Sequence, residues 1–331
     1  MQNPNELMII AEIGSVHDGS FGNACKLIEM AKECGANAVK FQLHDAENET
    51  IYNAPNPEYF KSENRYNYFQ RTSFNYKQLV ELKKLSKKLK LQFIVSPFSI
   101  QAAQLLNKIN IDGFKIASGE VNNDPLLIEI SKYKKRVYLS SGMSSFSEID
   151  HAIKFFDKKN LVLFQCTSEY PCSAENVGLN VLEKFKKYKC TLGLSDHTLG
   201  IAAAISAIAR GAKVIEKHVT FSKKMYGSDA RHSMEPHEFK IFCKEIKDAF
   251  IMNNTIFNKN DLRQFNKMRF IFQKSIYIKK DLKLGTKLAF DHLSFKKPGG
   301  GIPSTNYKKI IGKKIKKNMK KNYKLKLTDL N

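Results

Sequence analysis

Short apolar runs alternate along the chain with longer segments in which apolar residues recur at helical spacing. The longer segments, such as NACKLIEMAKECG and KQLVELKKLSKKL, are typical of amphipathic helices that cover a sheet. The short runs are typical of buried strands. The predicted strands are MIIAEIG (8–14), AVKFQL (38–43), LQFIVSPF (91–98), GFKIAS (113–118), RVYLSSG (136–142), LVLFQC (161–166), TLGLSDH (191–197) and KVIEKHV (213–219).

Eight strands, each followed by a helix within about 250 residues, predict a closed (β/α)₈ barrel. Successive strands begin 22 to 30 residues apart, except that 53 residues separate the second strand from the third. The excess is a polar, aromatic-bearing insertion at 44–76, which we expect to overhang the catalytic face of the barrel. An open, doubly wound sheet is the alternative, but no GxGxxG or P-loop motif follows any strand.

The chain is expected to continue beyond the barrel into a second, smaller domain. Residues 1–250 are assigned to the barrel, and the polar stretch 251–267 is predicted to be a linker. Residues 268–331 contain short alternating segments and the turn sequence KPGGGIP, which predict a small β-rich domain.

Composition limits the class of protein and its location. The chain has 331 residues, of which 42% are hydrophobic, and no apolar run is long enough to cross a membrane. The N-terminus lacks the pattern of a signal peptide, so we expect a cytoplasmic protein. The six cysteines form no CxxC pair and match no zinc-finger spacing, which predicts reduced thiols.

The net charge of +23 is concentrated near the C-terminus. Residues 268–331 contain 18 Lys or Arg and three Asp, a net charge of +15. Such a segment raises nucleic acid as a partner. However, apolar residues interrupt the lysines throughout and few aromatic residues lie between them, so a solvated surface is the favoured interpretation.

Polar side chains follow nearly every predicted strand, and in a barrel these strand ends converge on one mouth. One or two such residues would be ordinary helix caps or turns. Because nearly all strands end this way, the sequence predicts a functional mouth. The residues are Glu12, Lys40, Gln42, Ser96, Lys115, Ser118, Glu120, Ser140, Ser141, Ser168, Tyr170, Ser195, Asp196, His197, Glu216 and His218.

Two groups within this set indicate particular chemistry. His197 and His218 end neighbouring strands, where two imidazoles can share one cation, although structural histidines explain the pair equally well. Lys115 with the hydroxyls of Ser118, Ser140 and Ser195 suits a phosphate group, although each serine alone could cap a helix.

The motifs AEIGSVHDG, AVKFQ, KIASGE, QCTSEYP, GLSDHTLG, EKHVT and GSDARHSMEP occur in an order that resembles the sialic acid synthase family. The resemblance covers the whole barrel, and the tail is similar to that family's antifreeze-like (SAF) domain. It implies an enzyme that condenses phosphoenolpyruvate with an N-acylated mannosamine-type sugar, with C–O cleavage, to give a nine-carbon 2-keto sugar acid and phosphate.

The resemblance also implies roles for individual positions. It implies that His197 and His218 bind a divalent metal, with Mn²⁺ expected and Mg²⁺ or Co²⁺ as alternatives. It implies a catalytic role for Glu120, near C2 of the enol substrate, and for Glu12, as a second acid/base or a sugar contact. The implied phosphoenolpyruvate contacts are Lys115, Ser118, Ser140, Ser168 and Ser195, and the implied sugar contacts are Lys40, Gln42, Tyr170, Asp229 and Lys297.

Three positions depart from the family pattern. Val16 and Ser168 stand where relatives have Asn, and Lys297 in KKPGGGIP stands where the family commonly has Arg. In the family that arginine reaches a partner's active site in a domain-swapped homodimer. Lysine retains the charge but lacks the planar fork. The identity of the sugar, including the diacetylated deoxy sugars that lead to legionaminic or pseudaminic acid, therefore stays open.

Two other functions remain as alternatives. One is a phosphoenolpyruvate-condensing barrel that acts on a sugar phosphate, which would need a cluster of arginines that the sequence does not show. The other is a non-catalytic barrel that binds nucleic acid or another polyanion through its basic tail.

Overall fold

The chain forms two compact units, Met1–Thr255 and Ile256–Asn331, in a computed structural model. The structure describes residues 6–58, 60 and 62–331. The last helix of the first unit ends at Asn254, which lies inside the stretch predicted to be a linker. The remainder of that stretch also contains helix, because a 3₁₀ turn at Arg263–Phe265 leads directly into a helix at Asn266–Phe272.

The first unit is a closed barrel of eight parallel strands in chain order, with β8 paired to β1. This confirms the predicted (β/α)₈ fold. The strands are β1 (Met8–Gly14), β2 (Ala38–Leu43), β3 (Gln92–Pro97), β4 (Gly113–Ile116), β5 (Arg136–Ser140), β6 (Leu161–Cys166), β7 (Thr191–Asp196) and β8 (Val214–His218).

Ten helices belong to the described part of this unit, and serine or asparagine side chains cap several of their N-termini, including Ser20, Asn75, Ser99 and Ser145. The helices are α1 (Phe21–Cys34), α2 (Ala46–Glu49), α3 (Arg65–Thr72), α4 (Tyr76–Lys88), α5 (Ile100–Ile109), α6 (Asp124–Ser131), α7 (Phe146–Ala152), α8 (Val181–Phe185), α9 (Ala202–Ala209) and α10 (Pro236–Asn254).

The apolar residues of the barrel form two separate clusters. One lies between the strands and the surrounding helices and includes Leu27, Leu82, Leu106 and Phe239. The other fills the barrel interior and consists of Met8, Ile10, Ala38, Ile94, Tyr138, Val162, Phe164 and Val214. Since these side chains plug the barrel near the middle and lower part of the strands, the polar strand ends are left to form a mouth.

The insertion after β2 contains local structure that the sequence pattern did not indicate. It forms the short helices α2 and α3, and the Asn64 side chain accepts hydrogen bonds from the backbone amides of Tyr66 and Asn67 in the first turn of α3. Arg71 at the end of α3 pairs with Glu63 and with Asp18 in the loop after β1. These contacts fix the insertion against the barrel over the start of the β1 loop.

The second unit is a small fold with its own apolar core. It contains α11 (Asn266–Phe272), β9 (Ser275–Ile278), the antiparallel partner β10 (Leu293–Lys296), and α12 (Tyr307–Ile310). Ile276, Leu288, Ile310 and Leu325 are among its buried core residues. Of the predicted segments, only parts of SIYIKK and KLAFDHLSF form the paired strands.

Two further sequence expectations concern the whole chain. Within residues 6–58, 60 and 62–331, no helix combines the length and apolar character needed to cross a bilayer. All six cysteines are free thiols, as predicted.

Candidate active site

The carboxyl ends of the barrel strands surround a cavity of about 640 Å³. Because neighbouring strands are in register, residues far apart in sequence lie side by side there: Glu12 is level with Lys40 on one side and with His218 on the other. The family resemblance implies roles for fourteen residues, and twelve of these line the cavity. They are Glu12, Lys40, Gln42, Lys115, Ser118, Ser140, Ser168, Tyr170, Ser195, His197, His218 and Asp229.

The other two predicted residues lie outside the described lining. Glu120 is half-buried in a 3₁₀ turn after β4, where it accepts a hydrogen bond from the Asn123 side chain at 2.7 Å. Burial raises the pKa of its carboxyl. Lys297 belongs to the second unit, where its ammonium group lies 5.0 Å from the centre of the Phe272 ring.

Four buried charged side chains form the floor of the cavity. The ammonium group of Lys115 lies 2.9 Å from Oε1 of Glu216, and that of Lys40 lies 2.8 Å from Oε2 of Glu12 and 3.7 Å from Oε1 of Glu216. The side chains are at most 5% exposed. The two lysines therefore share two carboxylates in a site that excludes bulk water, where electrostatic interactions are strong.

The two carboxyl groups differ in their tendency to hold a proton. Burial raises the pKa of Glu12, and the opposing attraction of Lys40 is too weak to cancel it. Burial would also raise the pKa of Glu216, but Lys115 and Lys40 outweigh it and lower that pKa to about 2. Glu216 is thus ionised, whereas Glu12 is suited to carry a proton.

Glu216 is the main functional residue that sequence reasoning did not assign. It pairs with Lys115 and accepts a hydrogen bond from the Ser195 hydroxyl at 3.0 Å. Its position at the end of β8, two residues before His218, placed it among the predicted strand-end residues. The sequence alone, however, does not show which cation a strand-end glutamate contacts.

The serines of the mouth do not cap the helices of the barrel. Ser195 donates to Glu216, and Ser118 accepts a hydrogen bond from the backbone amide of Gly142 at 3.1 Å. The hydroxyl of Ser140 is buried without a hydrogen-bond partner. A buried hydroxyl without a protein partner, in the same cavity as Lys115, is suited to donate a hydrogen bond to an anion.

Gly142 permits this arrangement of hydroxyls. A Cβ atom at this position would lie 2.5 Å from the hydroxyl of Ser168 and 2.6 Å from that of Ser118. Both oxygens would have to move. The glycine therefore allows the β5 loop to approach the two hydroxyls closely.

His197 and His218 lie side by side at the ends of β7 and β8, with ring centres 5.5 Å apart. Nδ1 of His197 is 2.8 Å from the backbone oxygen of Thr167, and the ring also hydrogen-bonds to the Cys166 thiol, so its orientation is fixed. Nδ1 of His218 is buried without a hydrogen-bond partner and lies 4.0 Å from Asp229. Burial lowers the pKa of His218 to about 3, so this ring is neutral.

These observations fit a divalent cation held by the two imidazoles. The orphaned nitrogen of His218, the oriented ring of His197 and the nearby Asp229 carboxylate are donors that borderline metals accept. Among the described residues, no group of three or more His, Cys, Asp or Glu side chains is arranged to hold a metal. Completion of the coordination shell would therefore fall to substrate and water, as in an open catalytic site.

Cys166, at the end of β6, is a second residue that the sequence analysis left unassigned. Its sulfur lies 3.6 Å from the Ser118 hydroxyl. Burial would raise the pKa of its thiol, but the neighbouring His197, with Lys115, lowers it to about 7. Its burial beside the histidine pair places a polarisable thiol in the mouth.

A buried ion pair outside the cavity supports the two histidines. Lys217 precedes His218, and Asp196 precedes His197. The ammonium group of Lys217 lies 2.8 Å from Asp196, which also accepts hydrogen bonds from Thr198. The pair therefore joins β7 to β8 next to both imidazoles.

The insertion supplies the apolar side of the cavity. Its lining residues include Pro55, Pro57, Phe60, Tyr68 and Phe69. Arg65 is the one arginine among the described lining residues. The opposite side carries the lysines, carboxylates and histidines, so a ligand would meet a polar floor and an apolar wall.

Comparison with known proteins agrees with this fold and site. The NeuB family model matches residues 27–256 and the SAF domain model matches residues 273–330. The chain therefore belongs to the NeuB family, which confirms the predicted resemblance.

Three relatives show how far the similarity extends. The chain is 36% identical to N,N'-diacetyllegionaminic acid synthase of Campylobacter jejuni, over 95% of this chain and 97% of that protein. It is 32% identical to N-acetylneuraminate-9-phosphate synthase of Homo sapiens, over 93% and 88%. The crystal structure of N-acetylneuraminic acid synthetase from Leptospira borgpetersenii superposes with a TM-score of 0.70 at 30% identity, covering 81% and 92% of the two chains.

Proposed function

We propose that this chain is a nonulosonate synthase that condenses phosphoenolpyruvate with the open-chain form of an N-acylated mannosamine-type sugar. The products are a nine-carbon 2-keto sugar acid and phosphate. The observation that carries the proposal is the combination, in one mouth of the barrel, of a lysine and hydroxyl cluster with an adjacent pair of imidazoles. The names of the relatives support the same chemistry.

Lys115, Ser140 and Ser195 are proposed to bind phosphoenolpyruvate, together with Ser118 and Ser168. Lys115 provides a point charge that Glu216 already holds in place. The hydroxyl of Ser140 has no internal partner to give up when the anion binds. Binding would thus satisfy polar atoms that are otherwise buried and unpaired.

His197 and His218 are proposed to hold the divalent cation, with Mn²⁺ as the first metal to test. A cation bound there would supply Lewis acidity toward the aldehyde oxygen of the sugar. Tyr170, whose ring centre lies 4.2 Å from that of His197, is proposed to limit the approach of the sugar to this side.

Glu12 is proposed to act as the general acid of the condensation. A bond forms between C3 of the enol and the aldehyde carbon, and the aldehyde oxygen takes the proton from Glu12 to become a hydroxyl. Water then adds to C2 and loses a proton to the Glu12 carboxylate. As the C–O bond to phosphate breaks, the new C2 hydroxyl gives its remaining proton to the departing phosphate and becomes the keto group. Ionised Glu216, on the cavity floor, would offset the positive charge that develops at C2.

The catalytic role of Glu120 near C2 of the enol substrate remains a prediction. Its carboxyl accepts a hydrogen bond from Asn123 directly after Ser118 and Gly119, which line the cavity. Glu216, which contacts both Lys115 and Ser195 on the cavity floor, is proposed as a second carboxylate at the reacting centre.

The apolar wall favours a free N-acyl sugar over a sugar phosphate. Phe60, Tyr68 and Phe69 would pack against acyl methyl groups or a deoxygenated carbon, which lose little on leaving water. A phosphorylated sugar would need a second anion site. Arg71 is already paired with Glu63 and Asp18, so Arg65 is the remaining arginine at the mouth.

The homodimer, the cytoplasmic location and the contact of Lys297 with the sugar remain proposals. Lys297 would supply a positive charge but not the bidentate fork of an arginine, so it would bind an acyl oxygen more weakly. We also retain the expectation that nucleic acid is not a partner.

Phosphate release tests the proposal. Phosphoenolpyruvate and Mn²⁺ are incubated with N-acetylmannosamine, with diacetylated trideoxy sugars, or with arabinose 5-phosphate. We expect phosphate release with a free N-acyl sugar. Release should be fastest with a diacetylated deoxy sugar, which would pack against the apolar wall. Release with arabinose 5-phosphate alone would assign the chain to the sugar-phosphate class. The His218→Ala variant, which removes one proposed metal ligand, is the control and should be inactive but folded.

A further inference from the structure

A chain of hydrogen bonds connects the insertion to Glu12. Glu49 at the end of α2 lies 2.7 Å from Nδ1 of His44, and Nε2 of His44 lies 3.1 Å from the side-chain oxygen of Gln42. The amide nitrogen of Gln42 donates to Oε1 of Glu12 at 2.8 Å. Two of these four residues, His44 and Glu49, have no assigned role in the site.

In the structure the amide nitrogen of Gln42 donates to Oε1 of Glu12, and its oxygen faces Nε2 of His44. A His44 ring that carries a hydrogen on both nitrogens would donate to this oxygen at one end and to the Glu49 carboxylate at the other.

Packing holds the His44 ring in the plane that these bonds require. The ring is stacked between Phe69, at 3.7 Å between ring centres, and Phe98, at 4.4 Å. The side chains of His44 and Glu49 are 7% and 4% exposed. The backbone amide of Asp45 donates to the second oxygen of Glu49, which fixes that carboxylate too.

We propose that His44 and Glu49 are positioning residues that orient Gln42 and, through it, the carboxyl group of Glu12. With Oε1 held by Gln42 and Oε2 facing Lys40, the orientation of this carboxyl group is fixed. If the Gln42 amide turned over, its oxygen would face Oε1 and this orientation would be lost. The assignment rests on the proposed function for the identity of the reaction, but its geometry is independent of it.

Because Phe69 and Phe98 stack on the His44 ring, a mutation can separate the packing of this ring from its hydrogen bonding. His44→Phe retains a flat ring between Phe69 and Phe98 but removes both donors. We expect a lower melting temperature, because the buried Glu49 carboxylate loses its partner. We also expect an unchanged KM for phosphoenolpyruvate and a kcat about 10–100-fold lower, the usual effect of losing a supporting hydrogen bond. Wild-type kinetics in this variant would overturn the proposal.

Two substitutions of Glu49 provide a second test, which does not depend on whether the His44→Phe variant folds. Glu49→Gln retains an acceptor for Nδ1 and should keep kcat within about threefold, whereas Glu49→Ala removes the acceptor and should approach His44→Phe. Equal kcat values for the two variants would contradict the relay. His151→Phe is the matched control, because His151 makes a similar but exposed pair with Asp124 far from the mouth.

An NMR measurement separates this proposal from the proposed function. In protein labelled with ¹⁵N-histidine and free of added metal, we expect one ring to show slowly exchanging hydrogens on both nitrogens. His44→Phe should remove that signal, and Glu49→Ala should remove its Nδ1 hydrogen. A His44 ring with a bare nitrogen would overturn the relay even if condensation is observed. If the NMR spectra show the expected pattern but no condensation is observed, only the proposed function is overturned.

Discussion

Glu12 and Glu216 lie in the same cavity but differ in the number of lysines beside them. Lys115 and Lys40 together keep Glu216 ionised, while Lys40 alone does not offset the burial of Glu12. Pairs of carboxyl groups whose environments separate their pKa values commonly divide acid and base roles. The local charges are thus consistent with the proposed acid role of Glu12 and the proposed charge-stabilising role of Glu216.

The acid role of Glu12 predicts the behaviour of Glu12→Gln. The glutamine keeps the shape but cannot donate the proton, so kcat should fall by about 10²–10⁴-fold with little change in KM for phosphoenolpyruvate. The pKa of Glu12 is raised in the folded protein. In the wild type the proton is therefore present below that pKa and is lost as the pH rises through it, so kcat should fall on the alkaline side.

Steady-state kinetics across a pH series checks this prediction. The variant should lack the alkaline decline that belongs to Glu12. Glu29→Gln is a suitable control, because that glutamate pairs with Lys26 at the surface of α1 and should not affect the profile. Retention of wild-type kcat in Glu12→Gln would show that another group donates the proton.

At the level of individual residues, the sequence predicted which side chains lie at the mouth better than it predicted which groups they contact. Lys115 and Ser195 were predicted to face a phosphate, and both line the mouth. The intervening Glu216 was visible only as a strand-end residue, because its importance comes from the register of β7 and β8. His44 was hidden within an insertion whose local helices have weak patterns.

At the level of elements, β7 and β8 are joined by the buried pair of Asp196 and Lys217. Both side chains are at most 2% exposed. Since a buried charge without its partner is costly, the pair holds together two strands that each end in a proposed metal ligand. The two histidines therefore depend on a contact that lies outside the cavity.

Lys217→Met tests this role. The variant leaves Asp196 buried without its cation and should lower the free energy of unfolding by about 3–5 kcal/mol. Asp196→Asn combined with Lys217→Met should recover part of the loss, because no uncompensated charge remains. Urea denaturation measures both. Lys84→Met, which breaks the exposed pair with Glu81, should be neutral.

An unaltered unfolding midpoint in Lys217→Met would contradict the account of this pair. Restored stability without restored metal affinity in the double variant would show that the pair positions the histidines as well as stabilising the strands. Binding of Mn²⁺, measured by calorimetry, distinguishes these two contributions.

The elements of the barrel followed from the sequence because burial on both sides makes parallel strands continuous apolar runs. The eight predicted strands match the observed ones within a few residues. The insertion was less predictable, since α2 has only four residues and α3 depends on the cap by Asn64. Such elements depend on local hydrogen bonds and tertiary packing rather than on periodicity.

At the level of the whole molecule, the sequence predicted a barrel and a basic second unit. The boundary was harder to place, because α10 extends to Asn254 and α11 follows a short turn. Exposed apolar residues on these helices, such as Met252 and Phe270, weaken the amphipathic pattern by which helices are recognised. The polar composition of 251–267 therefore resembled a linker.

The charge of the second unit does not by itself define a partner. Several of its lysines pair with its few acidic residues, as Lys320 does with Asp281 and Lys317 with Asp329. A surface of this kind attracts anions weakly and in a salt-dependent way. The buried, specific chemistry of this chain lies in the mouth of the barrel.

The fate of the bridging oxygen of phosphoenolpyruvate tests the central claim most directly. Substrate labelled with ¹⁸O at that oxygen is converted with Mn²⁺ and the preferred N-acyl sugar, and the phosphate is examined by ³¹P NMR. Condensation with C–O cleavage predicts that the label leaves with inorganic phosphate, in equal amount to the new keto acid. Label retained in the organic product, or phosphate released without a sugar, would contradict the account.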